Sequence, residues 1–207
     1  MRVKLLLIGV ILLLFSCASS PKSLSEQYTI KPIISDRQIL RIEKGIEFID
    51  DMENDIKASV NCNFKEREKY NQYTMFPGSL YSFLFTVYNR GHSINIYEND
   101  FSLYGRNNTG DEWKSIKVYT ANESMQLMVS AGKIIYPGSS RHQDNHKYTT
   151  EEYCKKALLF SQTVSKDKAY IGYVYADFAY YNFIKFVYNI KSSDEKDIEF
   201  IFQIQKK

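Results

Sequence analysis

The feature that most restricts the fold is a succession of short apolar and aromatic segments separated by turn sequences, which begins at Leu80. Residues 80–88 (LYSFLFTVY) are apolar on both faces and rich in aromatic side chains, as in a central strand. The following Asn89-Arg90-Gly91 is typical of a turn. Residues 197–204 alternate apolar and other side chains, which gives a strand with one buried face. Short strands at roughly ten-residue spacing predict an antiparallel β-sandwich or barrel.

Other segments extend this pattern along the chain. Extended structure is also predicted for residues 28–34, 93–97, 100–104, 113–120, 132–139, 169–175 and 182–190. Residues 35–55 allow either a short helix or strands, because four isoleucines fall near helical spacing while Gly45 weakens a helix. Thr149 and Glu152 have the spacing of a capping box and predict a short helix over residues 149–160.

Composition supports sheet and excludes one class of partner. The chain contains 17 Tyr and 13 Phe but only nine Gly and four Pro, and tyrosine favours half-buried strand surfaces. Its formal net charge of +3 falls to about +1 without Arg2 and Lys4, and no basic stripe lies on one face. Nucleic acid is therefore not expected as a partner.

The first residues have the plan of a signal peptide. Arg2 and Lys4 precede an apolar run from Leu5 to Phe15, and this run is shorter than the ~20 residues of a membrane-spanning helix. Residues 1–16 are therefore predicted to direct export and to be removed. An uncleaved anchor, or an ordinary secretory signal beside a chance cysteine, is the alternative.

Leu14-Phe15-Ser16-Cys17 resembles the lipobox of bacterial lipoproteins, with a small residue before the cysteine and an aliphatic one three positions before it. The resemblance implies that Cys17 is acylated and becomes the new N-terminus, so that the lipid bilayer is a partner. Ala18 differs from the aspartate linked to inner-membrane retention in some bacteria, which favours the outer membrane and leaves the face open. Residues 17–27 are predicted to be a lipidated, flexible tether, and residues 28–207 a single domain.

Four short motifs resemble the immunoglobulin-like, telokin-like domains of bacterial lipoproteins of unknown function. The matching pieces are Val87-Tyr88-Asn89, Asp100-Phe101-Ser102-Leu103, Pro137-Gly138 and Gly172-Tyr173-Val174. The resemblance implies a mainly β, immunoglobulin-like antiparallel sandwich with one or two short helices. It also implies a non-enzymatic interaction module at the cell envelope, although fold analogy alone names no function.

Cysteines and histidines give two further hypotheses. Cys62 and Cys154 form an even pair in an exported chain and either make a disulfide or remain as buried thiols. His142 and His146 are weak metal candidates, because a site needs three or four ligands in fixed geometry. No cofactor is expected, since the chain has no glycine-rich phosphate loop and no nucleophile elbow.

A cluster of aromatic residues late in the chain is the candidate binding surface. Tyr173, Tyr175, Tyr180 and Tyr181 cannot all point to one face of a strand, so some of these rings are either exposed or covered by a second layer. Exposed rings would suit a protein or glycan partner.

The sequence as a whole predicts a membrane-anchored envelope lipoprotein that presents a non-catalytic binding or structural module. The alternative is a periplasmic assembly or chaperone-like factor whose exposed sheet edge accepts a partner strand. An enzyme is the third reading, and no residues identify its site.

Overall fold

The computed structural model describes residues 24–62, 80–130, 157–190 and 197–207. Within these ranges the chain forms two short α-helices, α1 (Leu24–Gln27) and α2 (Ala121–Ser130), and a 3₁₀ turn over Glu98–Asp100. The strands are β1 (Tyr28–Ile33), β2 (Ile39–Glu43), β3 (Ile46–Glu53), β4 (Ile56–Cys62), β5 (Leu80–Asn89), β6 (Ile94–Ile96), β7 (Phe101–Arg106), β8 (Lys114–Ile116), β9 (Val118–Tyr119), β10 (Gln162–Val164), β11 (Lys168–Asp177), β12 (Phe183–Tyr188) and β13 (Ile198–Lys206).

The strands form two main antiparallel sheets. A five-stranded sheet has the order β1-β13-β12-β7-β8, and a six-stranded sheet has the order β2-β3-β4-β5-β11-β9. Strands β6 and β10 form a separate two-stranded ribbon. The predicted mainly β, antiparallel sandwich with one or two short helices is thereby confirmed.

Aromatic rings fill the space between the two sheets. The ring of Phe83 from β5 stacks on Phe186 from β12, with centroids 4.5 Å apart, and Phe85 packs edge-on against Phe101 at 5.0 Å. The alternation seen in the sequence explains this arrangement, because every second residue of β5 and β13 points to the same face. The buried face of β13 consists of Ile198, Phe200, Phe202 and Ile204.

Residues 39–53 form a hairpin, so the strand alternative holds there and the helix alternative does not. Lys44 and Gly45 make the turn with φ values of 51° and 77°, a conformation that glycine adopts without strain. The isoleucines at near-helical spacing divide between β2 and β3, where pairing with the neighbouring strand decides the structure.

One strand pairing and one helix were not predicted, and two predicted elements are not fully described. Strand β6 lies within the predicted extended residues 93–97, and it pairs with β10. Helix α2 was not among the predicted elements. In the predicted helix over residues 149–160, residues 149–156 lie outside the described ranges, and Leu158 forms a parallel bridge with Tyr173 of β11. The predicted strand over residues 132–139 also lies outside them.

Candidate functional site

Strand β2 is an edge of the six-stranded sheet. It carries the two most exposed large apolar side chains of the described residues, Ile39 and Ile42. Ile39 is 67% exposed, Ile42 65% and Leu40 41%. Within the described ranges β2 pairs on one side only, with β3. An edge strand presents a row of backbone donors and acceptors on its other side, which is a template for a further strand.

The exposed residues of β2 lie on both faces of the sheet. Ile39 is paired with Asp50 and therefore shares its face, whereas Leu40 is paired with Ile49 and shares the face directed at the core. Ile42 has the same parity as Leu40. A strand added beside β2 would therefore contact apolar side chains of β2 on both faces of the sheet.

A network of charges holds the β2 edge to the rest of the sheet. The Arg41 guanidinium donates to Asp50 from Nε to Oδ2 over 2.9 Å and from Nη2 to Oδ1 over 3.2 Å. The Lys57 ammonium lies 2.9 Å from the same Oδ2. Burial alone would raise the pKa of Asp50, but hydrogen bonds from Arg41, Lys57 and Ser59 outweigh it and hold that pKa below its ordinary value.

A cleft of about 370 Å³ lies at the end of β1 and the beginning of β13, next to the segment that leads into β2. Its walls combine apolar side chains with charges of both signs. It is lined by Ile33, Ile34, Ser35, Arg37, Gln38, Asp197, Glu199 and Ile201. The cleft therefore offers apolar contact together with places for a polar or charged group.

Gln38 and Arg37 connect this cleft to a buried carboxylate behind it. Gln38 Nε2 donates to Asp51 Oδ2 and to the Glu199 carbonyl, both over 2.7 Å, so one amide joins the two sheets. Arg37 Nε lies 3.2 Å from the same Asp51 oxygen. Asp51 Oδ1 is buried and has no hydrogen-bond partner among the described residues. The charged wall of the cleft is thus fixed in place by buried contacts.

The geometry of the edge and cleft suits binding. The edge strand supplies backbone hydrogen-bonding groups, and the exposed isoleucines and the cleft supply apolar contact. No group of three or more histidine, cysteine, aspartate or glutamate side chains in the described ranges could hold a metal ion. The signal that marked this edge in the sequence was an isoleucine-rich segment next to a glycine turn, which was compatible with a helix.

The four tyrosines predicted as a binding surface are not brought together. Tyr175 is buried, and its ring stacks on that of half-buried Tyr173 at 5.9 Å. These two belong to a small cluster with helix α2 and Leu158. Tyr180 and Tyr181 follow β11, where Tyr180 is exposed and Tyr181 is half-buried against the main core. A role of any of them in binding stays a prediction.

Several other predicted residues lie outside the described ranges: residues 1–16, Cys17, His142, His146 and Cys154. Cys62 is buried at the end of β4, and burial raises the pKa of its thiol. Because Cys154 is not described, its pairing with Cys62 stays a prediction. No helix in the described part of the chain is long and apolar enough to cross a membrane.

Two residues of the telokin-like motifs have structural roles. Buried Asn89 donates through Nδ2 to the carbonyls of His92 and Val164 and accepts from the Gly91 N–H, which fixes the turn after β5. The carbonyl of Asp100 accepts from both the backbone and the side-chain amide of Asn189. Asn89 and Asp100 therefore hold loops in place.

Comparisons with known proteins give only distant likenesses. No family model matches the chain, and no curated protein matches it. The fold is similar to the yjhA protein from Bacillus subtilis, with a TM-score of 0.41 and 15% identity over 72% of this chain and 93% of that one. It is also similar to ycdA from Bacillus subtilis subsp. subtilis str. 168, described provisionally as a lipoprotein, with a TM-score of 0.42 and 16% identity. That match covers 82% of this chain and 39% of that one, and neither likeness carries an argument about function.

Proposed function

We propose that the protein is a lipid-anchored envelope lipoprotein whose sandwich is a non-catalytic binding module, and that the edge of β2 is its binding surface. The sandwich is proposed to be of the immunoglobulin-like, telokin-like type, and the outer membrane is the favoured location. The observation that carries the binding role is the exposure of Ile39 and Ile42, 67% and 65%, on the strand that ends its sheet among the described residues.

An extended polypeptide is the partner that this edge favours. Backbone hydrogen bonds to β2 would supply affinity, and side chains entering the cleft beside Ile33 and Ile201 would supply specificity. A single exposed apolar residue needs no explanation. Here, however, five exposed apolar residues follow one another along the segment that joins the two sheets: Ile33, Ile34, Ile39, Leu40 and Ile42. This concentration favours the assembly-factor alternative, in which the partner is an envelope protein, over a glycan-binding surface.

The anchoring part is tested by metabolic labelling with a palmitate analogue. Label is expected in the wild-type protein and in Cys62→Ala, and it should be absent from Cys17→Ala. Labelling that persists in Cys17→Ala, or a wild-type protein that takes up no label, would contradict acylation at Cys17.

The binding part is tested by placing a photo-crosslinking amino acid at Ile42 in living cells. Ile171 is the control position, because it is also an exposed isoleucine of the six-stranded sheet, at 55%, but lies on β11, which is separated from β2 by three strands, and opposite Thr86 of β5. A discrete adduct from position 42 with none from position 171 is the expected result. Equal adducts from both positions, or none from position 42, would contradict the proposal.

A further inference from the structure

The end of the sandwich at which β1 begins is also the point where the tether reaches the domain. Helix α1 runs directly into β1, and Tyr28 at the start of β1 lies opposite Lys206 of β13. Lys207 closes the same end: its backbone N–H donates to the Gln27 carbonyl over 2.8 Å, and its ammonium donates to the Ser25 carbonyl over 2.5 Å. The tether therefore enters the domain beside two lysines.

Aromatic rings surround the same entry point. The ring centroid of Tyr28 lies 5.3 Å from that of Tyr180 and 5.2 Å from that of Phe178. Tyr180 is 44% exposed, while Tyr28 and Phe178 are half-buried and pack against the main core. Tyr180 is thus an exposed ring that packs against the half-buried ring of Tyr28. Tyrosine and lysine are side chains that sit well in the interface between membrane and water.

The length of the tether limits how far this end can lie from the bilayer. Six residues separate Cys17 from Leu24. A fully extended chain of that length spans at most about 25 Å between the two Cα atoms. If Cys17 carries acyl chains in the membrane, α1 and the start of β1 must lie close to the lipid headgroups.

We propose that the tether end, defined as Tyr28, Tyr180, Lys206 and Lys207, docks on the headgroups of an anionic bilayer. The inference rests on the proposed acylation of Cys17. Tyr180 enters the interfacial layer, and the two lysines lie beside anionic headgroups, whose attraction acts within a Debye length of the surface. Glu26 is the one acidic residue of α1, so the two lysines outnumber it at this end.

Docking at this end gives the domain a fixed orientation. Strand β1 leads away from the tether end, and Ile33 at its other end lines the cleft. Five strand rises place Ile33 about 17 Å from Tyr28. The cleft at the end of β1 therefore stays accessible to a partner while the tether end is in contact with lipid.

The test uses the acylated full chain in vesicles and two variants with a single tryptophan. Trp113 is the chain's only tryptophan, so Trp113→Phe combined with Tyr180→Trp or with Tyr97→Trp gives one reporter each. Tyr97 is a matched position because it is 42% exposed but lies at the opposite end of β7 from Tyr180. Tyr97 precedes the start of β7, whereas Tyr180 is close in the chain to Phe183, which pairs with Arg106 at the end of β7. Vesicle flotation measures membrane attachment, and a bromine-labelled lipid quenches a tryptophan that contacts the interface.

The expected result is several-fold stronger quenching at position 180 than at position 97 in vesicles that contain phosphatidylglycerol. Adding Lys206→Glu and Lys207→Glu should reduce the quenching at position 180. Equal, weak quenching at both positions in a protein that floats with the vesicles overturns docking and leaves acylation intact. A protein that does not float overturns docking together with the anchoring on which it rests.

Hydrogen exchange of the acylated wild-type protein gives a second measurement if a tryptophan variant does not fold. Slower exchange of residues 24–28 in anionic than in zwitterionic vesicles supports docking. Equal exchange in the two kinds of vesicle overturns it.

Discussion

The ring of Tyr181 lies directly over Gly105 of β7, so closely that a Cβ atom on Gly105 would come within 2.1 Å of Tyr181 Cδ2. Gly105 has the parity of the core-facing residues of β7, which include Phe101 and Leu103. The missing side chain of Gly105 therefore leaves the space in which the Tyr181 ring packs against the core. This contact joins the segment after β11 to the five-stranded sheet.

Gly105→Ala is expected to destabilise the protein by about 1–3 kcal/mol, because a tightly packed ring must move to admit the methyl group. Chemical denaturation measures the free energy of unfolding. Gly110→Ala is the control, since a Cβ atom there meets nothing within 4 Å. In a double-mutant cycle with Tyr181→Ala, the cost of Gly105→Ala should largely disappear; a cost that remains would show that the strain arises elsewhere.

Asn89→Ala is expected to lower the free energy of unfolding by about 1–3 kcal/mol, because it removes a buried amide from three hydrogen bonds and leaves their partners unsatisfied. Asn182→Ala is the control, since its side-chain bonds to the Asn107 carbonyl and the Tyr180 hydroxyl are both exposed. Thermal or urea unfolding of both variants checks the difference. An Asn89 variant as stable as the wild type would contradict the structural role given to this motif residue.

The charge network at the β2 edge predicts a dependence of stability on pH. The pKa of Asp50 is lower in the folded protein than in the unfolded chain, so its contribution is fully present above the unfolded value. That contribution should be lost as the pH falls through the folded pKa. Unfolding measured across the acid range should show a smaller loss in Asp50→Asn than in the wild type. Identical slopes in the two proteins would mean that Arg41 and Lys57 do not stabilise the ionised form.

Local alternation predicted most of the strands but not their partners. The alternating apolar residues of β13 and the continuous apolar run of β5 could be identified because the periodicity of one strand depends only on its own sequence. Pairing of β6 with β10 joins residues far apart in the chain, such as Ile96 and Gln162, and no local pattern specifies it. The β2–β3 hairpin could not be predicted with its register either, because its isoleucines are compatible with both helical and strand periodicity.

The sequence does contain a local signal for helix α2. Thr120 and Glu123 stand three residues apart, and in the structure they form a capping box: the Thr120 N–H donates to Glu123 Oε2, and the Glu123 N–H donates to Thr120 Oγ1. The exposure of β2 could not be predicted, because it depends on which strand ends the sheet. The separation of Tyr175 from Tyr180 could not be predicted either, because Tyr175 lies within a covered strand and Tyr180 lies in the connection after it.

The most direct test of the binding account is a photo-crosslinking scan of single positions along β2 in intact cells. If a partner strand adds to this edge, Ile39 on one face and Leu40 and Ile42 on the other should all give the same adduct. Adducts confined to one parity would mean that the partner docks on a face of the sheet, and a scan without adducts would mean that β2 is not the binding surface. Either of these results would contradict the account.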